Sequence, residues 1–271
     1  MLQIKVANHQ LEYEWHGPRP DGAPTLVFLH EGLGCVAMWK GFAERVVAAT
    51  GYGALVYSRL GYGKSDPCKL PRPVRFMHDE ALIELPQVLD AFEIREAILV
   101  GHSDGGSIAL IHAGIPNLRS DAAENTGRAM TRISGLILLA PHVFVEEPGL
   151  ESIRRIAEDY RTGHLRQRLQ RYHGENVDGA FWGWNEVWLN PEFRSWNIEE
   201  YLPRISVPVL LIQGADDQYG TLVQIAAIES GVAGPVQKVM LKNCGHSPHL
   251  DQPEQTLAAI ELFVRSIPVN K

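Results

Sequence analysis

Residues 100–110 read VGHSDGGSIAL, with Ser103 set among glycines at 101, 105 and 106. The apolar run AILV at 97–100 leads into the stretch with strand character, and GGSIALIHAGI at 105–115 leads out of it with helical spacing. Gly101-His102-Ser103-Asp104-Gly105 therefore fits G-x-S-x-G at a strand-to-helix turn, the context in which that pattern presents an exposed serine. So tight a turn leaves no room for side chains flanking the serine, and the helix N-terminus behind it favours developing negative charge. A plain glycine-rich turn is the competing reading. A serine is not nucleophilic at neutral pH without a base in reach and a carboxylate to orient that base, so the partners decide.

The base is sought late in the chain, where NCGHSPH at 243–249 follows the last predicted strand. His246 is favoured over His249 because Gly245 precedes it at the strand end, where a loop can swing the imidazole over the sheet. Asp216 and Asp217 directly follow PVLLIQG at 208–214 and supply two carboxylates, of which one is expected to reach the ring and the other to cap a turn. The strand before it ends in Ala140-Pro141-His142, without a carboxylate. His30-Glu31-Gly32-Leu33-Gly34 follows TLVFLH, and its glycines let backbone N–H groups approach a substrate oxygen. The N–H of Gly32 or Leu33, with that of Asp104, is expected to form an oxyanion hole. His30 is read as bracing that loop, and Glu31 as organising it or, less favoured, placing a water; the Asp104 side chain is read as incidental to the triad.

The rest of the chain fits one α/β domain with an insertion. Short apolar runs at 25–30, 54–59, 97–103, 133–141, 208–214 and 236–246 alternate with helical patterns, as in a parallel sheet covered on both faces. LQIKVANHQLEYEWHG at 2–17 reads as an antiparallel hairpin at the sheet edge. From 144 to 204 no strand is evident; helical patterns and four of the six tryptophans, at 182, 184, 188 and 196, mark an insertion able to form a lid. Core residues 1–143 and 205–271 and a helical cap at 144–204 are the expected units.

Composition excludes several classes. At 271 residues, 45% hydrophobic and 21% charged, the chain can bury one large core. A formal net charge of −7 and the lack of a basic run argue against nucleic acid. No apolar segment approaches the ~20 residues of a membrane span, and the N-terminus lacks a basic region leading into an apolar one, so a cytoplasmic protein without membrane partners is expected. Cys35, Cys68 and Cys244 are read as free thiols. No metal and no cofactor are expected, and the protein is read as a monomer or homodimer acting on a small molecule.

The chain resembles the α/β-hydrolase superfamily over essentially its whole length. The likeness rests on LHEGLG in place of the usual HG-x-x-G loop, SRLGYGKSD in place of D-x-R-G-x-G-x-S, VGHSDGG at the elbow, QGADD, and CGHSPHLDQPE. It implies the order Ser103, Asp217, His246 for nucleophile, acid and base, and a helical cap between strands 6 and 7. The family's acid lies three residues after the glycine closing its strand, which selects Asp217 over Asp216. Glu31 departs from the pattern, standing where glycine is usual.

The function implied is a serine hydrolase splitting an ester or thioester through an acyl-enzyme. The alternatives are hydrolysis of a C–C bond in ring-cleavage products, or ligand reception without catalysis. Glu31, His142, Trp182 and Trp184 are the candidate substrate contacts, the tryptophans suggesting an apolar or aromatic substrate body.

Overall fold

The computed structural model describes residues 2–20, 23–115 and 131–267. Eight strands form one sheet: β1 (Leu2–Val6), β2 (His9–His16), β3 (Thr25–Leu29), β4 (Ala54–Tyr57), β5 (Glu96–His102), β6 (Arg132–Leu139), β7 (Val209–Gly214) and β8 (Val236–Leu241). Their spatial order is β1-β2-β4-β3-β5-β6-β7-β8, with β1 and β2 antiparallel and all neighbours from β4 to β8 parallel. The α/β architecture expected from the apolar runs is thus the one formed, with the 2–17 hairpin at its edge.

The strands are apolar on both sides because both faces are covered. Leu26, Phe28, Ile98, Val100, Ile137, Leu139, Leu210 and Ile212 bury one face under α1 (Phe42–Thr50) and α10 (Pro253–Ser266). The alternate residues Val27, Leu29, Leu99, Leu136, Leu138 and Leu211 bury the other under α2 (Phe76–Asp79), α3 (Leu85–Ala91) and α4 (Asp104–Ala113). Between α2 and α3 the chain takes a π turn at Glu80–Glu84. Pro86 follows it within the first turn of α3 and has no N–H to close an α-type bond, so the wider turn fits there.

Between β6 and β7 run α5 (Glu147–Thr162), α6 (Leu165–His173) and α7 (Val177–Trp188), followed by 3-10 turns at Pro191–Ser195 and Glu199–Arg204. The root of this segment is fastened by Gln224 of α8 (Leu222–Gly231), whose amide accepts from Val143 N at 2.7 Å and donates to Phe144 O at 3.0 Å. The returning chain closes on it through Ile198 N to Val143 O at 2.8 Å. A last short helix, α9 (Pro248–Asp251), follows the loop after β8.

The elbow is set by contact between α4 and the end of β3. Ser103 sits at φ 53° and ψ −118°, held by its N–H to Leu139 O at 2.9 Å and by Gly106 N to its own carbonyl at 2.8 Å. A Cβ on Gly105 would fall 2.0 Å from Leu29 O, an overlap that only a shift of α4 relieves. Gly105→Ala is therefore expected to cost about 1–3 kcal/mol, lowering Tm by roughly 2–10 °C. Gly179→Ala, whose Cβ meets nothing within 4 Å inside α7, is the control and should leave Tm unchanged or raise it. Equal melting of the two variants would contradict this account of the elbow.

Candidate active site

The elbow, the loop after β7 and the loop after β8 converge on one point. His246 Nε2 lies 2.8 Å from Ser103 Oγ, and its Nδ1 lies 2.8 and 2.9 Å from the two Asp217 oxygens. With Nδ1–H given to the carboxylate, Nε2 is left to accept the serine proton. Asp217 is held in turn by the Tyr219 amide at 2.8 Å and the Gln213 side-chain amide at 2.8 Å. Burial alone would raise its pKa, but the hydrogen bonds from His246 and Tyr219 outweigh burial and hold the carboxyl below its ordinary range.

The competitors are placed elsewhere. Asp216 is exposed, and its backbone N–H ties to Cys244 O at 2.9 Å, joining the two loops without presenting its carboxylate to the ring. His249 is buried against Trp39, Phe42 and His102, and burial pushes its ring down to about 3. It packs as a neutral ring.

The loop after β3 is braced by two histidines of inferable tautomer. Arg59 N donates to His30 Nε2, so His30 Nδ1–H donates to Glu31 O at 2.7 Å. Gly63 N donates to His173 Nδ1 at 3.0 Å, so Nε2–H of this α6 residue donates to Leu33 O at 2.9 Å. Gly32, Leu33 and Asp104 line the same cavity as Ser103. The Asp104 N–H is the first of its helix and has no intrahelical acceptor. A Cβ on Gly32 would lie 2.0 Å from Trp184 Nε1, so the indole rests directly on this glycine.

Glu31, which the sequence left hard to place, folds its carboxylate over Gly34 toward His102, with Oε2 3.4 Å from Nδ1. His102 Nε2 donates to the His246 carbonyl at 2.7 Å. Burial would drive the proton off this ring, but Glu31 overrides it and raises the His102 pKa. Reciprocally, burial would raise Glu31, and His102 holds it well below its ordinary value. The pair therefore links the loop after β3 to the loop carrying His246.

The cavity over Ser103 measures about 490 Å³. Ile153 and Ile156 of α5, Trp184 and Trp188 of α7, Tyr219, Leu250 and His142 form much of its wall. His142 lies beside His246 with ring centres 5.6 Å apart, and burial lowers its pKa to about 3. Trp182, expected as a substrate contact, does not line the cavity. It packs on Tyr160 and Phe181 with Arg161 over its ring, because residue 182 points away from the face shared by 184 and 188. Trp188 takes that place; its i, i+4 relation to Trp184 was the available signal. The Asp104 side chain, expected to be incidental to the triad, is buried and accepts from Trp188 Nε1 at 3.2 Å instead. His102, His173 and Tyr219 are further site residues that no local pattern announced.

The Glu31–His102 contact has a calculable sign. Below the ordinary carboxylate value of 4.5 Glu31 of the unfolded chain protonates while the folded one stays charged, so its contribution to stability fades as pH falls toward the lower folded value; above the ordinary imidazole value of 6.5 the His102 contribution is lost as pH rises through its folded pKa. Glu31→Gln should therefore lose most stability, relative to the parent, near pH 5–6, with the deficit shrinking by pH 9. The His102 ring, followed by NMR, should titrate at lower pH in that variant. An unchanged His102 titration would refute the pairing.

The chain matches the alpha/beta hydrolase family over residues 26–260. RutD of Stutzerimonas stutzeri, a protein named for carbamate hydrolysis, is 29% identical over 76% of this chain and 79% of its own. The sn-1-specific diacylglycerol lipase ABHD11 of Danio rerio is 25% identical over 94% and 82%. Among solved structures, the enol-lactonase of Burkholderia xenovorans superposes with TM-score 0.71 at 20% identity, covering 98% of this chain and 100% of that one. The match spans most of the 271 residues, and the protein belongs to the α/β hydrolase family and is a hydrolase on that scaffold.

Proposed function

We propose that the protein is a serine hydrolase that cleaves an ester or thioester of a small, largely apolar or aromatic molecule through an acyl-enzyme. The observation that carries this reading is the unbroken hydrogen-bond chain from Ser103 Oγ through His246 to Asp217, at 2.8 Å on each side of the ring. In this reading Ser103 Oγ attacks the substrate carbonyl carbon while its proton passes to His246 Nε2. The carbonyl oxygen becomes an oxyanion held by the N–H of Asp104 and that of Gly32 or Leu33. Collapse expels the alcohol or thiol, which takes the proton from His246. Water then gives a proton to the same nitrogen and attacks the acyl carbon, and the acid leaves as Ser103 recovers its proton. Asp217 keeps Nδ1 protonated and stabilises the imidazolium throughout.

Residues 144–204 act as a cap on a core of residues 1–143 and 205–271. Support comes from the α5 and α7 side chains in the cavity wall and from the contacts of His173 with the loop after β3. Apolar walls from Ile153, Ile156, Trp184 and Leu250 suit a hydrophobic substrate body. No observation in the cavity favours C–C bond cleavage over ester cleavage. Among the described residues no helix is long and apolar enough to cross a membrane.

A fluorophosphonate probe should label Ser103 stoichiometrically, and Ser103→Ala should abolish labelling and lower kcat on 4-nitrophenyl esters by about 10³-fold or more. A folded wild-type protein that resists the probe would favour ligand reception on the same fold instead. Asp217→Asn should lower kcat by about 10⁴-fold, whereas Asp216→Asn should leave kcat within about twofold. Equal losses in the two variants would overturn the assignment of the acid.

A further inference from the structure

Among the described residues, the polar side chains that both line the cavity and are nine-tenths or more buried are His102, Ser103, Asp104, His142, Trp184 and Trp188. Ser103 is bonded to the His246 ring, His102 donates to the His246 carbonyl, and Asp104 and Trp188 are bonded to each other, which leaves Trp184 and His142. Neither side chain has a hydrogen-bond partner among the described residues. The unpartnered atoms that are sealed from solvent include His102 Nδ1, His249 Nδ1 and Asp104 Oδ2, but neither Trp184 Nε1 nor either ring nitrogen of His142. These polar atoms therefore keep accessible surface, and in residues only 6% and 5% exposed that line the cavity, that surface opens into it. Polar atoms so placed are satisfied by water or by a ligand.

The two lie on opposite sides of the serine. Trp184 Nε1 rests on Gly32 of the loop after β3, whereas His142 follows β6, and the sheet order β3-β5-β6 places Ser103 between them. Trp184 thus belongs to the end of the cavity where the scissile carbonyl oxygen is read to sit, and His142 to the other end. His142 is positioned through its main chain: Ser107 Oγ of α4 donates to its carbonyl at 2.6 Å, and the next residue, Val143, is fastened to Gln224 of α8. Its ring packs edge to face on Trp188, with centres 5.6 Å apart, and a Cβ on Gly220 would lie 3.0 Å from its Cε1. The imidazole is held in place with both nitrogens unused, which is the arrangement of a preorganised binding group.

We propose that His142 is a specificity-determining residue that binds a hydroxyl group of the substrate, carried a few bonds from the scissile carbonyl on the side away from the loop after β3. Burial lowers the pKa of this ring to about 3, so it offers one N–H and one lone pair rather than a charge. A hydroxyl both donates and accepts and so matches either tautomer, whereas a carboxylate buried there would meet no positive charge on the ring to offset its desolvation. This proposal names the substrate class of the serine hydrolase reading and rests on it.

Substrate pairs that differ by a hydroxyl test it: 4-nitrophenyl 3-hydroxybutyrate against 4-nitrophenyl butyrate, and 2-hydroxyethyl butyrate against propyl butyrate, each corrected for its rate of hydrolysis by hydroxide. In the wild-type protein kcat/KM should favour the hydroxyl compound of at least one pair by about 10-fold or more. In His142→Phe, which keeps a ring and removes both nitrogens, that ratio should fall to about unity, and in His142→Gln, which restores a donor and an acceptor, part of it should return. The ratio is read within each variant, so a general loss of activity does not alter it. A wild-type protein that is labelled by fluorophosphonate but prefers the hydroxyl in neither pair overturns the proposal, whether or not a variant folds, and leaves the serine hydrolase reading standing. A preference that persists in a folded His142→Phe overturns the role of this residue. A wild-type protein that resists the probe and hydrolyses none of these esters overturns the serine hydrolase reading and this proposal with it.

Discussion

The first turn of α4 rests on the last carbonyls of β3, and the arrangement of the site depends on that contact. Gly105 can approach Leu29 O and His30 O only because it has no side chain, and the approach fixes where Ser103 leaves the sheet. It also fixes the loop after β3, which must run past the start of α4. Gly32 and Leu33 are thereby brought to the wall that contains the free N–H of Asp104. Ser103 at φ 53° is the strained residue in this junction, over-determined by its bonds to β6 and to Gly106. One steric constraint therefore aligns Ser103 with two sources of backbone N–H, without a direct side-chain bond between them.

A second constraint joins the loops after β7 and β8. Ala215 N meets Leu241 O and Asp216 N meets Cys244 O, so these loops leave the sheet as an extension of the β7–β8 pairing. Asp217 and His246 are then presented at matching heights although 29 residues separate them. Such a register is invisible in a single strand's pattern, which is why the residues alone left Asp216 beside Asp217 as alternatives. The parallel strands, the edge hairpin and the helical stretch between β6 and β7 were legible because each is encoded by local periodicity. The strand order was not, since crossovers depend on packing between distant elements. Glu31 could be read as organising its loop, but not its partner: His102 lies 71 positions away, and only the fold turns one toward the other. Trp182 was misplaced for a different reason, because composition marked α7 as aromatic while helical phase decided which ring entered the cavity.

The imidazoles around Ser103 form an electrostatic pattern that one carboxylate organises. His102, His246, His142 and His249 lie with neighbouring ring centres 5.0–5.6 Å apart. Charging all of them in so buried a space would be prohibitive, and burial drives His142 and His249 down to about 3. Glu31 reverses the tendency at His102 alone. His102, whose pKa Glu31 raises, donates to the His246 carbonyl, while the ring of His246 faces Asp217 and Ser103. In the serine hydrolase reading, the His142 ring beside the base, kept neutral by burial, does not compete with it for Asp217.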